Sequence, residues 1–249
     1  MNPTHPWILP DWPAPANVHA CTTTRQGGVS AAPYDSLNLG DHVGDAALMV
    51  ARNRRIVGET LRLPAEPLWL EQVHGVTVAD MGAAACHPRA DAAISRHLRQ
   101  VCVVMTADCL PVLFCDRDGT RVAAAHAGWR GLCGGVLERT VQALQCDPAR
   151  LLVWLGPAIG PAAFEVGEEV RTAFMAHDRA AAAAFVPGAG PGKWWCDIYR
   201  LARQRLAAAG IVHSHVSGGD CCTVQDVGRF FSYRRDGTTG RMASLVWFS

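Results

Sequence analysis

Between Val101 and Ala127 the chain carries three apolar runs in close succession, VCVVMTA, PVLFCD and TRVAAAHA. Runs this short, bounded by turn residues and rich in β-branched side chains, are read as buried strands rather than helices. DRDGT, between the second and third, supplies the residues of a tight reversal and predicts a hairpin. Buried strands need a sizeable core around them, and 249 residues are enough to build one.

The rest of the chain is read around that centre. HACTTT (His19 to Thr24) predicts a strand entering the loop RQGGVS, after an extended, proline-punctuated lead-in over residues 1–20. Apolar residues at helical intervals predict a helix from Asp45 to Leu61, and LWLEQV (Leu68 to Val73) reads as a strand before His74-Gly75. GWRGLCGG leads into a helix over Val136 to Leu144, and LLVWLGPAIG is a strand entering a glycine-proline loop. Helices are expected over Glu165 to Ala176 and Ile198 to Ala208, strands in GIVHSHV and at the two ends of RFFSYRRDGTTGRMASLVWFS. Extended segments outnumber helices without a regular βαβ alternation, so the expected class is α+β, one domain with mixed β-sheets and flanking helices. GPAIGPAAFEVG is no dinucleotide fingerprint, because it lacks GxGxxG and its prolines remove backbone donors.

Charge and hydropathy exclude several function classes. Lys plus Arg number 23 against 22 Asp plus Glu, a balance that gives the whole protein no electrostatic reason to seek nucleic acid or an anionic membrane surface. MNPTHPWILPDWPAPANVHA has no basic n-region and its apolar residues are broken by proline, unlike a signal peptide, and no run approaches 18 apolar residues. A cytoplasmic protein is expected. Ten cysteines without a CxxC pair, in a chain far longer than disulfide-dependent domains, read as free thiols with one of them a metal ligand.

His74, Cys109 and His126 each stand at the end of a strand-like run, where residues distant in sequence can converge on one rim. Two imidazoles and a thiolate form a chemically coherent zinc set, and three protein ligands leave a fourth position for water or substrate. Spacing alone does not distinguish this from two alternatives. In one, the histidines are satisfied by backbone carbonyls and Cys109 packs as a small hydrophobe. In the other, Cys109 is a nucleophile with His126 as its base and Asp108 or Glu71 as orienter. A multicopper oxidase is disfavoured, since ten histidines with a single HxH pair (His213, His215) supply too few ligands for four coppers. Arg25 and Arg241 lie beside glycines and are candidate phosphate clamps. Cys221-Cys222 is too close in sequence for an unstrained disulfide, and Phe230 and Phe231 are candidates for stacking on a base or for core.

TTRQGGVS, PYDSLNLGDHVGD, NRR, LEQVHG, TADCLPVLFCD, AAAHAGWRGL, WLGPAIGP and FFSYRRDGTTGRMASLVW occur in this order and resemble the YfiH-type family, also called the laccase-domain or polyphenol oxidase family. The resemblance runs from about Thr22 to Trp247. It implies a single α+β sandwich domain and one zinc held by His74, Cys109 and His126, with copper possible in vitro. It also implies a purine nucleoside phosphorylase acting on adenosine, inosine, guanosine and methylthioadenosine, which deaminates adenosine as well. Catalytic roles then fall on Asp108, Cys109 and His126, with Asp108 the nearest proton donor in sequence. Arg25, Asn38, Arg54 and Arg241 are the expected substrate-binding residues, because each lies in a matching block. Purine nucleosides and inorganic phosphate are the implied partners, with no obligatory protein partner. Some bacterial members are linked instead to editing peptidoglycan precursors that carry a wrong first amino acid, an alternative at the same His/Cys/His site.

Overall fold

The computed structural model describes residues 6–84 and 86–249. In chain order its strands are β1 (Val18–Thr22), β2 (Val78–Asp80), β3 (Ala92–Ser95), β4 (Cys102–Thr106), β5 (Leu110–Asp116), β6 (Val122–Ala127), β7 (Leu151–Leu155), β8 (Glu165–Gly167), β9 (Phe185–Pro187), β10 (Lys193–Cys196), β11 (Val216–Gly218) and β12 (Met242–Phe248). The helices are α1 (Ala47–Leu61), α2 (Trp129–Gly134), α3 (Val136–Ala143), α4 (Glu168–His177), α5 (Ile198–Ala208) and α6 (Tyr233–Asp236). None is long and apolar enough to cross a membrane.

The predicted hairpin is present: β5 and β6 pair antiparallel from Leu110↔Ala127 to Cys115↔Val122. Asp116 holds its turn, accepting from the backbone N–H of Thr120 and Arg121 and from the Thr120 hydroxyl, while Gly119 takes the left-handed conformation. These strands lie at the centre of a six-stranded sheet of order β11-β7-β5-β6-β3-β2, in which β2-β3 and β7-β11 are parallel and the other pairs antiparallel. Mixed pairing agrees with the expected α+β class.

VCVVMTA and PVLFCD are adjacent in sequence but enter different sheets. β4 joins β12 and β1 in a second, three-stranded sheet, which packs face to face on the large one. Strand alternation divides the apolar residues among three layers. Cys102 and Val104 of β4 meet Leu113, Cys115, Val122 and Ala124 of the hairpin between the sheets. Val103 and Met105 point the other way, into a layer with Val57 of α1. Val112, Phe114, Ala123 and Ala125 face the helices, against Leu137 of α3 and Leu201 of α5. A run that is apolar on both faces is thus explained by burial on both faces.

The helices carry their own signals. In α1, Val50, Asn53 and Val57 form the buried stripe, and α5 starts at Asp197, whose carboxylate caps the Arg200 N–H. Four expectations shift. Residues 229–231 form no strand and lead instead into α6. LWLEQV is extended, with Trp69 and Leu70 buried in different layers, but it passes from one sheet towards the other and makes only the isolated bridges Leu68↔Cys102 and Glu71↔Arg89. The segment from Glu165 begins as β8, paired with β10, before turning into α4. In GIVHSHV, His213–His215 is a short 3-10 turn and only then does β11 begin.

Candidate metal centre and its cleft

The site draws on three segments: the loop after LWLEQV, the β4–β5 connection and the end of β6. His126 is the penultimate residue of β6 and shares a strand face with Val122 and Ala124, the face turned to the smaller sheet. Cys109 sits one residue before β5. His74 occupies the loop after LWLEQV with φ 61°, a left-handed conformation unusual for a non-glycine residue. Gln72 fastens that loop to the end of β4 at two points. Its Oε1 accepts the Met105 N–H at 2.7 Å, and its Nε2 donates to the Met105 carbonyl at 2.8 Å.

One ligand atom from each of His74, Cys109 and His126 lies within 4.8 Å of the others, and Cys109 Sγ is 3.8 Å from His74 Nε2. The two imidazoles stand edge to face, 4.8 Å between centroids. Gly128 belongs to the site by what it lacks: a Cβ there would lie 2.9 Å from both Cys109 Sγ and His74 Cδ2.

Asp91, just before β3, organises two of the three ligands. Its side chain is fully buried. Oδ1 accepts from His126 Nδ1 at 2.8 Å and from the His74 N–H at 2.8 Å, while Oδ2 accepts from the Gly75 N–H at 2.6 Å and the Val73 N–H at 3.3 Å. The first contact settles the His126 tautomer, with the proton on Nδ1 and Nε2 left for a metal. The other three hold the strained turn at His74. Burial pushes the Asp91 carboxyl up, but the His126 and backbone donors outweigh it and hold the group below the usual carboxylate range.

Cys109 and His126 shift one another's titration. Burial raises the Cys109 thiol, yet His126 and His74 together bring it down to about 6. Burial depresses His126, but Cys109 and Asp91 raise it to about 9. At neutral pH the pair is therefore thiolate and imidazolium, and a metal has to displace one proton to complete its ligand set. Cys102, Cys115 and Cys196, buried without such partners, have their thiols pushed up. Two imidazoles and one thiolate, with a tautomer-fixing carboxylate behind them, fit a zinc-type centre and would also accept copper.

A cleft of about 600 Å³ opens over these ligands. Met105, Trp129, Ile159, Phe164, Ile198 and Tyr233 supply its apolar walls, and His42, Arg130, Arg234 and Arg241 its basic groups. Asp108 also lines it, at φ 89°. Its Oδ1 accepts from Thr223 Oγ1 at 2.6 Å and its Oδ2 from the Arg234 N–H at 2.7 Å. Through these two bonds Asp108 ties α6 and the Thr223 loop to the rim.

Of the residues expected to bind substrate, Arg241 lines the cleft and the other three do not. Arg25 donates through Nε to the Asp35 carbonyl, pairs with the Asp35 carboxylate at 3.2 Å and lies over Phe231. Arg54 is held by the Leu39 carbonyl and Asp41, with its guanidinium 3.9 Å from the centroid of Trp69. Asn38 is fully buried and touches Arg241, a cleft residue, whose backbone N–H its Oδ1 accepts at 2.9 Å. Phe230 and Phe231 are wholly buried, as core. Glu71 is exposed and pairs with Arg89, away from any role as orienter. Sequence reasoning missed Asp91, Arg130 and Arg234. The first had one faint signal, a lone acid directly ahead of the buried run AAIS, and the second lay unremarked in GWRG.

Comparison with known proteins agrees with the motif blocks. The chain is 61% identical over 241 residues to a purine nucleoside phosphorylase of Pseudomonas aeruginosa, covering 97% of this chain and 98% of that one. It is 58% identical to the purine nucleoside phosphorylase YfiH of Escherichia coli, covering 96% and 98%. A crystal structure of a Neisseria meningitidis DUF152 protein superposes with a TM-score of 0.92 at 51% identity, covering 98% of this chain and 99% of that one. YlmD of Geobacillus stearothermophilus superposes at 0.88 with 32% identity, covering 100% and 98%. The family described as multi-copper polyphenol oxidoreductase laccase matches residues 19–249. The chain belongs to that family, as a relative of its YfiH-type members.

Proposed function

We propose that this protein is a zinc-dependent purine nucleoside phosphorylase of the cytoplasm. The proposed substrates are adenosine, inosine, guanosine and methylthioadenosine, with adenosine deamination at the same site. The observation that carries the reading is the position of the His74/Cys109/His126 set beneath a cleft with aromatic walls and basic groups. The names of the Pseudomonas and Escherichia relatives support it. At about 600 Å³ the cleft falls within the roughly 300–1,000 Å³ usual for small-molecule sites.

In phosphorolysis a phosphate oxygen forms a bond to C1′ of the ribose as the C1′–N9 bond breaks and its electron pair leaves on the purine. Hydrogen phosphate carries the proton that ends on the base, and ribose 1-phosphate leaves as a dianion. When bound, zinc supplies a Lewis acid at the cleft floor. The chain's part is orientation and exclusion of water. Trp129, Phe164 and Tyr233 offer flat apolar faces to a base. Asp91 keeps His74 and His126 in place, and Asp108 holds α6 against the rim. Asn38 supports the cleft through Arg241, while Arg25 and Arg54 brace the loops behind it. The whole chain is read as one domain of this type, in which every group named comes from a single copy.

Incubation of zinc-loaded protein with adenosine, with and without phosphate, tests the reading. Adenine and ribose 1-phosphate, formed only with phosphate, are expected, with inosine as the product of deamination. If neither appears, the reading fails and editing of a peptidoglycan precursor becomes the next reaction to assay.

A further inference from the structure

The cleft carries more positive charge than its own residues neutralise. Many of the protein's arginines are ion-paired, Arg54 with Asp41, Arg205 with Glu138 and Arg235 with Asp236 among them. Among the described residues, the three arginines that line the cleft, Arg130, Arg234 and Arg241, have no carboxylate partner. Asp108, the one acid at the rim, is committed to Thr223 and to a backbone N–H, and Asp41, beside His42, is held by Arg54.

These guanidinium groups are nonetheless restrained. Arg241 Nη1 donates to the Thr239 and Gly240 carbonyls, both at 3.0 Å, which leaves Nε and Nη2 without a hydrogen-bond partner among the described residues. Arg234 Nη1 donates to the Glu165 carbonyl at 3.0 Å, and the group stands over Phe164. Arg130 makes no hydrogen bond to the described residues and lies 4.5 Å from the Trp129 ring centroid. Arg235, next in sequence to Arg234, is spent differently: its nitrogens go to the Thr223, Val224 and Phe230 carbonyls and to Asp236. Arginines oriented by carbonyls and aromatic faces, with donors left over, suit an oxyanion that accepts from several forks at once.

We propose that Arg130, Arg234 and Arg241 form the seat for a phosphate dianion, taken as inorganic phosphate and released as the monoester of the sugar product. The seat rests on the phosphorolysis reading for its place in the reaction, but not for its existence as an anion site. It also explains why Arg25 and Arg54, equally at home in the family's sequence blocks, are not needed for the anion: both already face carboxylates.

Calorimetric titration of the zinc-loaded protein with inorganic phosphate, and separately with ribose 1-phosphate, tests the seat. Both ligands are expected to bind and to compete with each other. Arg130→Gln and Arg241→Gln should each weaken phosphate binding by about tenfold or more, as expected for a lost charged hydrogen bond. Arg139→Gln, which removes a surface charge from α3, should leave binding unchanged. Because Arg130 is exposed, its variant gives a result even if the Arg241 variant folds poorly. Phosphate affinity unaltered in R130Q and R241Q, or no binding of either ligand to the wild type, would overturn the seat. Arginine-dependent phosphate binding without phosphorolysis would keep the seat and remove the phosphorylase reading. Phosphorolysis with an unchanged phosphate KM in both variants would do the reverse.

Discussion

The Asp91 carboxylate and the His126 imidazole meet at 2.8 Å in the fully buried base of the site, and the same oxygen of Asp91 accepts the backbone N–H of His74. One side chain therefore fixes both the tautomer of one ligand and the backbone of another. The β3–β6 ladder creates the contact: Ala92 pairs with Ala125, and the His126 N–H donates to the Asp91 carbonyl at 2.7 Å.

Asp91→Asn should lower zinc affinity by about 10–100-fold, the range for a lost carboxylate behind a metal-bound histidine. The amide can still accept one hydrogen bond, but it carries no charge and presents an N–H to one of its former donors. Competition against a chromophoric chelator measures the effect directly. Affinity equal to wild type would show that His126 holds its orientation without Asp91.

Gly128→Ala should impair the metal centre while sparing the fold. The new Cβ would press on Cys109 and on His74 at 2.9 Å, closer than van der Waals contact permits. Zinc stoichiometry by mass spectrometry under native conditions is expected to fall below that of wild type, with an unchanged circular dichroism spectrum.

Cys109 should be the thiol that separates a metal ligand from a packed cysteine. Its folded pKa is lowered to about 6, so in metal-free protein the thiolate predominates above that pH and disappears as pH falls through it. Alkylation at Cys109 should follow that titration at pH 5–8, and bound zinc should suppress it; the pH profile is read at the modified peptide, since the exposed Cys86 reacts as well. Continued activity after chelation, abolished by alkylation, would instead support the cysteine-nucleophile chemistry.

Phe231→Ala should be a stability variant. The ring is fully buried among Phe230 and Met242 and carries the Arg25 guanidinium over its face. Loss of about 3–5 kcal/mol is expected for truncating a buried aromatic, read from the urea midpoint of unfolding. A change in zinc affinity with no loss of stability would place Phe231 in the site rather than in the core.

Local signals were enough for the strands of the hairpin, its DRDGT turn and the helices α1, α3 and α5, because hydrophobic period, turn chemistry and capping act over neighbouring residues. His74, Cys109 and His126 were legible as a group from their strand-end positions and from the resemblance, and their ligand atoms do converge. Only the tertiary structure sent VCVVM and PVLFC to different sheets, since an apolar run is the same string whichever neighbour it pairs with. The same limit governed the polar residues. Arg54 and Arg130 look alike in a sequence, yet among the described residues Asp41 lies against one and no carboxylate against the other. Asp91 gained its role from a strand that pairs with it from 35 positions away. Hydrogen bonds and ion pairs between distant segments are decided by packing, and packing selects which chemically suitable residues form the site.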